Sequence, residues 1–116
     1  MGQLTTHVLD TTSGTPAKGV KWILRHVADE PLEVARGQTN ADGRSDTPLL
    51  SGPTLIAGTY ELEFQVASYF RDQGITLPEP AFLDDVVIRF GIADVSDHYH
   101  VPLLVSPYGY STYRGS

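Results

Sequence analysis

The chain has 116 residues and a formal net charge of −6, with no basic run or stripe to hold nucleic acid or an acidic membrane surface. Hydrophobic content of 41% beside 19% charged residues marks a folded chain, and one domain over residues 1–116 is expected. The chain has no cysteine, which excludes a disulfide framework, a thiol nucleophile and a thiolate metal site.

The dominant period along the chain is two. QLTTHVLD (3–10) is strand-like and puts His7 on the same face as Thr5 and Leu9. VKWILRHV (20–27) collects Val20, Trp22 and Leu24 on one side, and LEVARGQT (32–39) is a weaker strand candidate. GTYELEFQV (58–66) sets Tyr60, Leu62, Phe64 and Val66 against Glu61, Glu63 and Gln65, the alternation of a half-buried antiparallel strand. ASYFRDQG (67–74) breaks the alternation and predicts a short helix with Ser68 as N-cap and Gly74 as stop. DDVVIRFGI (84–92) returns to period two, with Val86, Ile88, Phe90 and Ile92 together. HYHVPLLVS (98–106) puts Tyr99, Val101, Leu103 and Val105 on the core face, and Pro102 predicts that this strand is locally at an edge or bulged. Turn signals at Thr12–Pro16, Asn40–Gly43, Ser51–Pro53 and Ser106–Gly109 separate these elements. The result is an all-β sandwich or barrel of seven or eight short strands with one short helix.

On HYHVPLLVS the face opposite the core carries His98 and His100 beside Leu104, an unusual mixture for a strand face open to water. Three readings of this pair stand on the residues alone. The first is two solvated surface histidines. The second is a site covered by another subunit. The third is a metal site, because His-x-His on a strand projects both rings the same way and His7 would supply a third ligand, although no fourth Cys, Asp or Glu stands out. His7 taken alone reads as a hydrogen-bonded structural histidine, and Arg44, just after Asn40-Ala41-Asp42-Gly43, as a solvated charge. His26 has no companion, and Asp84, Asp85, Asp94 and Asp97 sit where strand ends and turns explain them. There is no nucleophile elbow and no phosphate-binding glycine loop.

Taken together, the opening LTTHVLDTTSGTPAKGV, the central TNADGR and the closing HYHVPLLVSPYGYSTYRGS closely resemble the transthyretin-related 5-hydroxyisourate hydrolases, in the expected order over nearly the whole chain. YRGS at the end is the most discriminating part. Transthyretin, the hormone carrier of the same fold, resembles the SPYGYST segment but lacks YRGS and lacks histidines matching His7 and His100. The resemblance implies a prealbumin-like sandwich of two four-stranded sheets, assembled as a homotetramer with active sites in grooves between subunit pairs. It implies hydrolysis of 5-hydroxyisourate to 2-oxo-4-hydroxy-4-carboxy-5-ureidoimidazoline, without metal or other cofactor. His7, Arg44 and His100 match the family's catalytic residues, and Tyr113, Arg114, Gly115 and Ser116 match those closing the pocket. His98 is a lesser candidate for substrate binding or for the interface. The stretch Leu49–Ala57 matches poorly and carries no proposed chemistry.

Opening a cyclic amide requires a nucleophilic water, a proton for the leaving nitrogen and stabilisation of a developing oxyanion. Two imidazoles and a guanidinium supply those functions. A carrier with the same fold would instead need an apolar channel, a metal-dependent hydrolase would fail on chelation, and an interaction module would need a peptide groove, which the chain does not offer. No secretory signal or membrane span is evident, and a cytoplasmic location is expected.

Overall fold

A computed structural model describes residues 1–116. Two sheets face each other across one cluster of 22 buried residues. The first sheet runs in the order β2 (Thr15–Pro16), β1 (Gln3–Asp10), β8 (His98–Ser106), β9 (Gly109–Thr112), and the two-residue β5 (Leu50–Ser51) also pairs with β1. The second runs in the order β4 (Pro31–Gln38), β3 (Lys21–Val27), β6 (Gly58–Phe64), β7 (Val86–Ile92). The alternation in sequence becomes alternation in burial: Leu4, Thr6, Val8 and Asp10 of β1 point inward, as do Tyr60, Leu62 and Phe64 of β6. Tyr99, Val101, Leu103 and Val105 of β8 close the core from the first sheet. This is the all-β sandwich expected, but not two sheets of four: the first sheet has five strands, because the two-residue β2 and β5 each add to the same edge of β1, and the total is nine. No helix is long and apolar enough to cross a membrane.

The single α-helix, α1, runs over Val66–Asp72, two residues ahead of the predicted cap. Ser68 lies inside it, and the N-cap is Gln65, whose side chain makes no capping bond. Burial decides the start, because Val66 and Ala67 face the core with Tyr69 and Phe70. Asp84 supplies from outside what a cap would have given, its carbonyl accepting the Ala67 N–H at 3.0 Å. The helix ends ahead of Gly74 as expected. It is tied to the opposite sheet by the Tyr69 hydroxyl, which donates to buried Asp10 Oδ2 at 2.9 Å. Burial, with Asp10 second, pushes the Tyr69 phenol up to about 12.

The local edge expected at Pro102 is present, but on one flank of an interior strand only. β8 lies between β1, with which it runs parallel, and β9, with which it runs antiparallel. The proline is accommodated because its nitrogen faces the β9 side at a gap in the pairing. β9 pairs from Ser106↔Gly109 to Leu103↔Thr112, and contact resumes only at the isolated bridge His100↔Gly115. The Pro102 carbonyl, on that same side, accepts the Thr112 hydroxyl at 2.7 Å. On its other side the β1 ladder is continuous from Gln3↔His98 to Asp10↔Val105.

Candidate active site

The parallel register sets Thr5 directly beside His100, and His7 beside Pro102. All four side chains lie on the outer face of the first sheet, by the alternation of both strands. Thr5 Oγ1 and His100 Nδ1 are 2.8 Å apart. Each can act as donor to the other, and either way Nδ1 is engaged and Nε2 is the imidazole atom left for chemistry.

Arg44 arrives from the far side of β1. β2 covers one end of that edge and β5 the other, which leaves the middle of β1 open. The turn Asn40–Arg44 fills the gap: Val8 donates its N–H to the Gly43 carbonyl at 2.8 Å, and His7 and Arg44 form an isolated antiparallel bridge. Asn40 organises the turn, its Oδ1 accepting the N–H groups of Asp42 and Arg44 at 2.9 and 3.1 Å. Gly43 is required here. Its φ is +75°, and a Cβ would lie 2.5 Å from the Val8 carbonyl and 3.2 Å from the His7 ring.

The closing segment arrives from the β9 side. Gly115 donates its N–H to the His100 carbonyl at 2.8 Å. A Cβ on Gly115 would lie 2.5 Å from His100 Cδ2, so only glycine lets the backbone lie flat on this imidazole. Between turn and closing segment is an open cavity of about 450 Å³. Thr5, Arg44 and His100 line it together with Tyr113, Gly115 and Ser116, and Gln3, Thr6, Ser45 and Thr47 complete the wall. His7 borders this group through its bridge to Arg44. Arg114 and His98 are not among the lining residues: Arg114 faces a second cavity, and His98 is exposed near the start of β8.

Both imidazoles are held below the ordinary histidine value. For His7 the causes are burial and then the Arg44 guanidinium, opposed by a hydrogen bond with the Asp42 backbone and by the Asp42 carboxylate. For His100 they are burial, then Arg44, then His7. Near pH 7 the site therefore presents two neutral imidazoles and one guanidinium. No three His, Asp or Glu side chains converge as metal ligands would have to. Thr5, Asn40, Gly43, Ser45 and Thr47 were not singled out from the sequence as site residues. The Asn40–Gly43 turn signal and a threonine at i−2 from His7 were the available signs, and the threonine's partner becomes visible only with the β1–β8 register.

The chain matches the model described as the HIUase/Transthyretin family over residues 4–115. It is 57% identical over 117 residues to the 5-hydroxyisourate hydrolase of Pseudomonas aeruginosa, covering 100% of this chain and 93% of that one. Among solved structures, the 5-hydroxyisourate hydrolase of Klebsiella pneumoniae superposes with a TM-score of 0.84 at 37% identity, covering 100% of both chains. Sea bream transthyretin, solved in complex with thyroxine, superposes with a TM-score of 0.87 at 30% identity, over 97% of this chain and 94% of that one.

The contact between Gly115 and His100 carries a direct test. Gly115→Ala should lower kcat at least tenfold, a misplacement effect of the size proximity arguments allow, with little change in the urea midpoint because the residue lies outside the core cluster. Unchanged kcat would mean that the imidazole does not need the closing segment in place.

Proposed function

Because the chain belongs to the HIUase/transthyretin family, we propose that it hydrolyses 5-hydroxyisourate, the product of urate oxidation, to 2-oxo-4-hydroxy-4-carboxy-5-ureidoimidazoline, as one hydrolase domain spanning residues 1–116. The observation that carries the reading is the cavity wall, where His100 and Arg44 stand with one hydrophobic residue among ten. A carrier of an apolar ligand would need the reverse composition.

His7, Arg44 and His100 do the chemistry. A neutral imidazole takes a proton from water as the oxygen attacks the ring carbonyl, and the resulting imidazolium, or its neighbour, returns a proton to the leaving ring nitrogen. Arg44 serves twice. Its guanidinium donates a forked pair of hydrogen bonds to the planar substrate and the developing oxyanion. Its charge also makes an adjacent imidazolium a stronger acid, which speeds delivery of the proton. Thr5 holds the His100 ring, and Tyr113, Gly115 and Ser116 shape the pocket around the substrate. No cofactor takes part in this scheme.

The enzyme works as a homotetramer, a dimer of dimers, with its sites in grooves between subunits. Two features support this. The outer face of β8 carries half-buried Leu104 beside the site, and the aromatics Phe82 and Tyr108 pack on each other at 6.0 Å while staying largely exposed. A cytoplasmic location goes with this reading, and the acidic composition, with no basic run, argues against nucleic-acid or acidic-membrane partners.

The primary test generates 5-hydroxyisourate with urate oxidase and follows its ultraviolet decay; the protein should accelerate it, and decay at the spontaneous rate would end the proposal. His7→Asn and His100→Asn should each cost roughly 10²–10⁴-fold in kcat. Sedimentation should give four times the 12.7 kDa chain mass. The pH profile has a definite sign. A base whose pKa lies below the ordinary value of about 6.5 stays neutral to lower pH, so the acid limb of kcat/KM should fall below that value. Arg44→Ala removes a cation that favours the neutral form of both rings, so the residual activity should show its acid limb moved to higher pH.

A further inference from the structure

Within the closing segment Arg114 behaves differently from its neighbours. Its guanidinium carbon sits 4.4 Å above the centre of the Tyr99 ring. Its Nη2 donates to the His98 carbonyl at 3.3 Å and lies 3.8 Å from Asp97 Oδ2. All three partners are consecutive residues at the entry to β8, so the side chain is docked on one short piece of chain. That piece is itself firm. Tyr99 is 7% exposed, and its hydroxyl accepts the N–H groups of Ala93 and Asp94 at 3.1 and 3.0 Å. The neighbouring residue, Gly115, is the one whose backbone bonds to His100 and whose missing Cβ makes room for the imidazole.

We propose that Arg114 is a positioning residue, a latch that pins Tyr113–Ser116 to the Asp97–Tyr99 platform and so holds Gly115 and Ser116 against His100 without touching the substrate. The proposal rests on the hydrolase reading for its functional meaning, and its physical content is independent of it. Arginine suits the task because a planar guanidinium can stack on a ring while its N–H groups reach a carbonyl and a carboxylate in its own plane; an ammonium cannot do both. The latch lies at the break in β8–β9 pairing, where two residues between Thr112 and Gly115 have no ladder bond to hold them. Arg114 is 60% exposed at its side chain and its contacts are individually weak, so the latch opens and closes without unfolding the sheets.

The reporter is the Gly115 amide, which is protected from hydrogen exchange only while bonded to the His100 carbonyl. In the full-length protein, Arg114→Ala should speed exchange at Gly115 roughly three- to thirtyfold, the equilibrium equivalent of one exposed cation–π contact and one exposed ion pair. Arg114→Lys and Asp97→Asn should give smaller increases, and the amides of the β1–β8 ladder should keep their wild-type rates. Any loss of turnover in these variants should fall on kcat. Gly115 exchange within twofold of wild type in Arg114→Ala would overturn the latch, and a raised KM with unchanged exchange would make Arg114 a substrate contact instead. Absence of 5-hydroxyisourate hydrolysis by the wild type would remove the functional reading while exchange still decided the latch.

Discussion

The parallel ladder between β1 and β8 determines which side chains can meet on the outer face of the sandwich. With Thr5 opposite His100, each strand contributes one imidazole to the same surface, His7 lying one pleat further along β1. Because side chains alternate at a period of two, a one-residue slip would send His100 toward the core and bring Tyr99 or Val101 outward. The inward faces prevent that slip. Leu4 and Val101 are buried, and a slip that turned Gln3 or Thr5 and His100 inward in their place would strip the core of apolar area worth about 25 cal/mol per Å². Register at the site is thus enforced from the opposite face of the same strands.

Once the strands are placed, the remaining parts of the site come from two irregular segments that approach from opposite sides. The turn at Asn40–Arg44 enters through the gap between β2 and β5, and the closing segment through the gap opposite Pro102. Each brings a backbone against an imidazole at a glycine, Gly43 at His7 and Gly115 at His100. This close packing of backbone and guanidinium dehydrates the rings. Burial is the largest cause lowering both imidazoles, with Arg44 second for each. The steric and electrostatic requirements are met by the same two segments.

Much of the fold was legible in the alternation of residues such as Tyr60, Leu62 and Phe64, because one-sided burial forces that pattern. The helix was legible in kind but not in its start: Ser68 is a good cap by local chemistry, yet burial of Val66 and Ala67 and the Asp84 carbonyl set the boundary earlier. Pro102 marked a local edge, and what local sequence does not show is that the strand keeps an unbroken partner on its other side. The candidate residues His7, Arg44 and His100 came from motifs, and the structure brings them together. The Asn40–Gly43 turn was legible from its residues, whereas the partner of Thr5 was not, since Thr5 acts through a strand 95 residues away. Arg114 was read with its neighbours in YRGS. Consecutive residues in extended chain point to opposite sides, and its side chain lies over Tyr99 while the residues flanking it line the cavity.

Pro102 has a wider meaning for how one strand serves two purposes. A residue without an N–H interrupts pairing on one flank only, so β8 remains fully laddered to β1 while its other flank is released midway. The sheet thereby keeps its mechanical continuity through Val101, Leu103 and Val105, whose backbone groups face β1. The freed flank is where the chain stops behaving as a strand and turns its last residues over His100. Scaffold and closing segment are therefore separated within a single strand, by residue parity, and the boundary between them is the absence of one hydrogen atom.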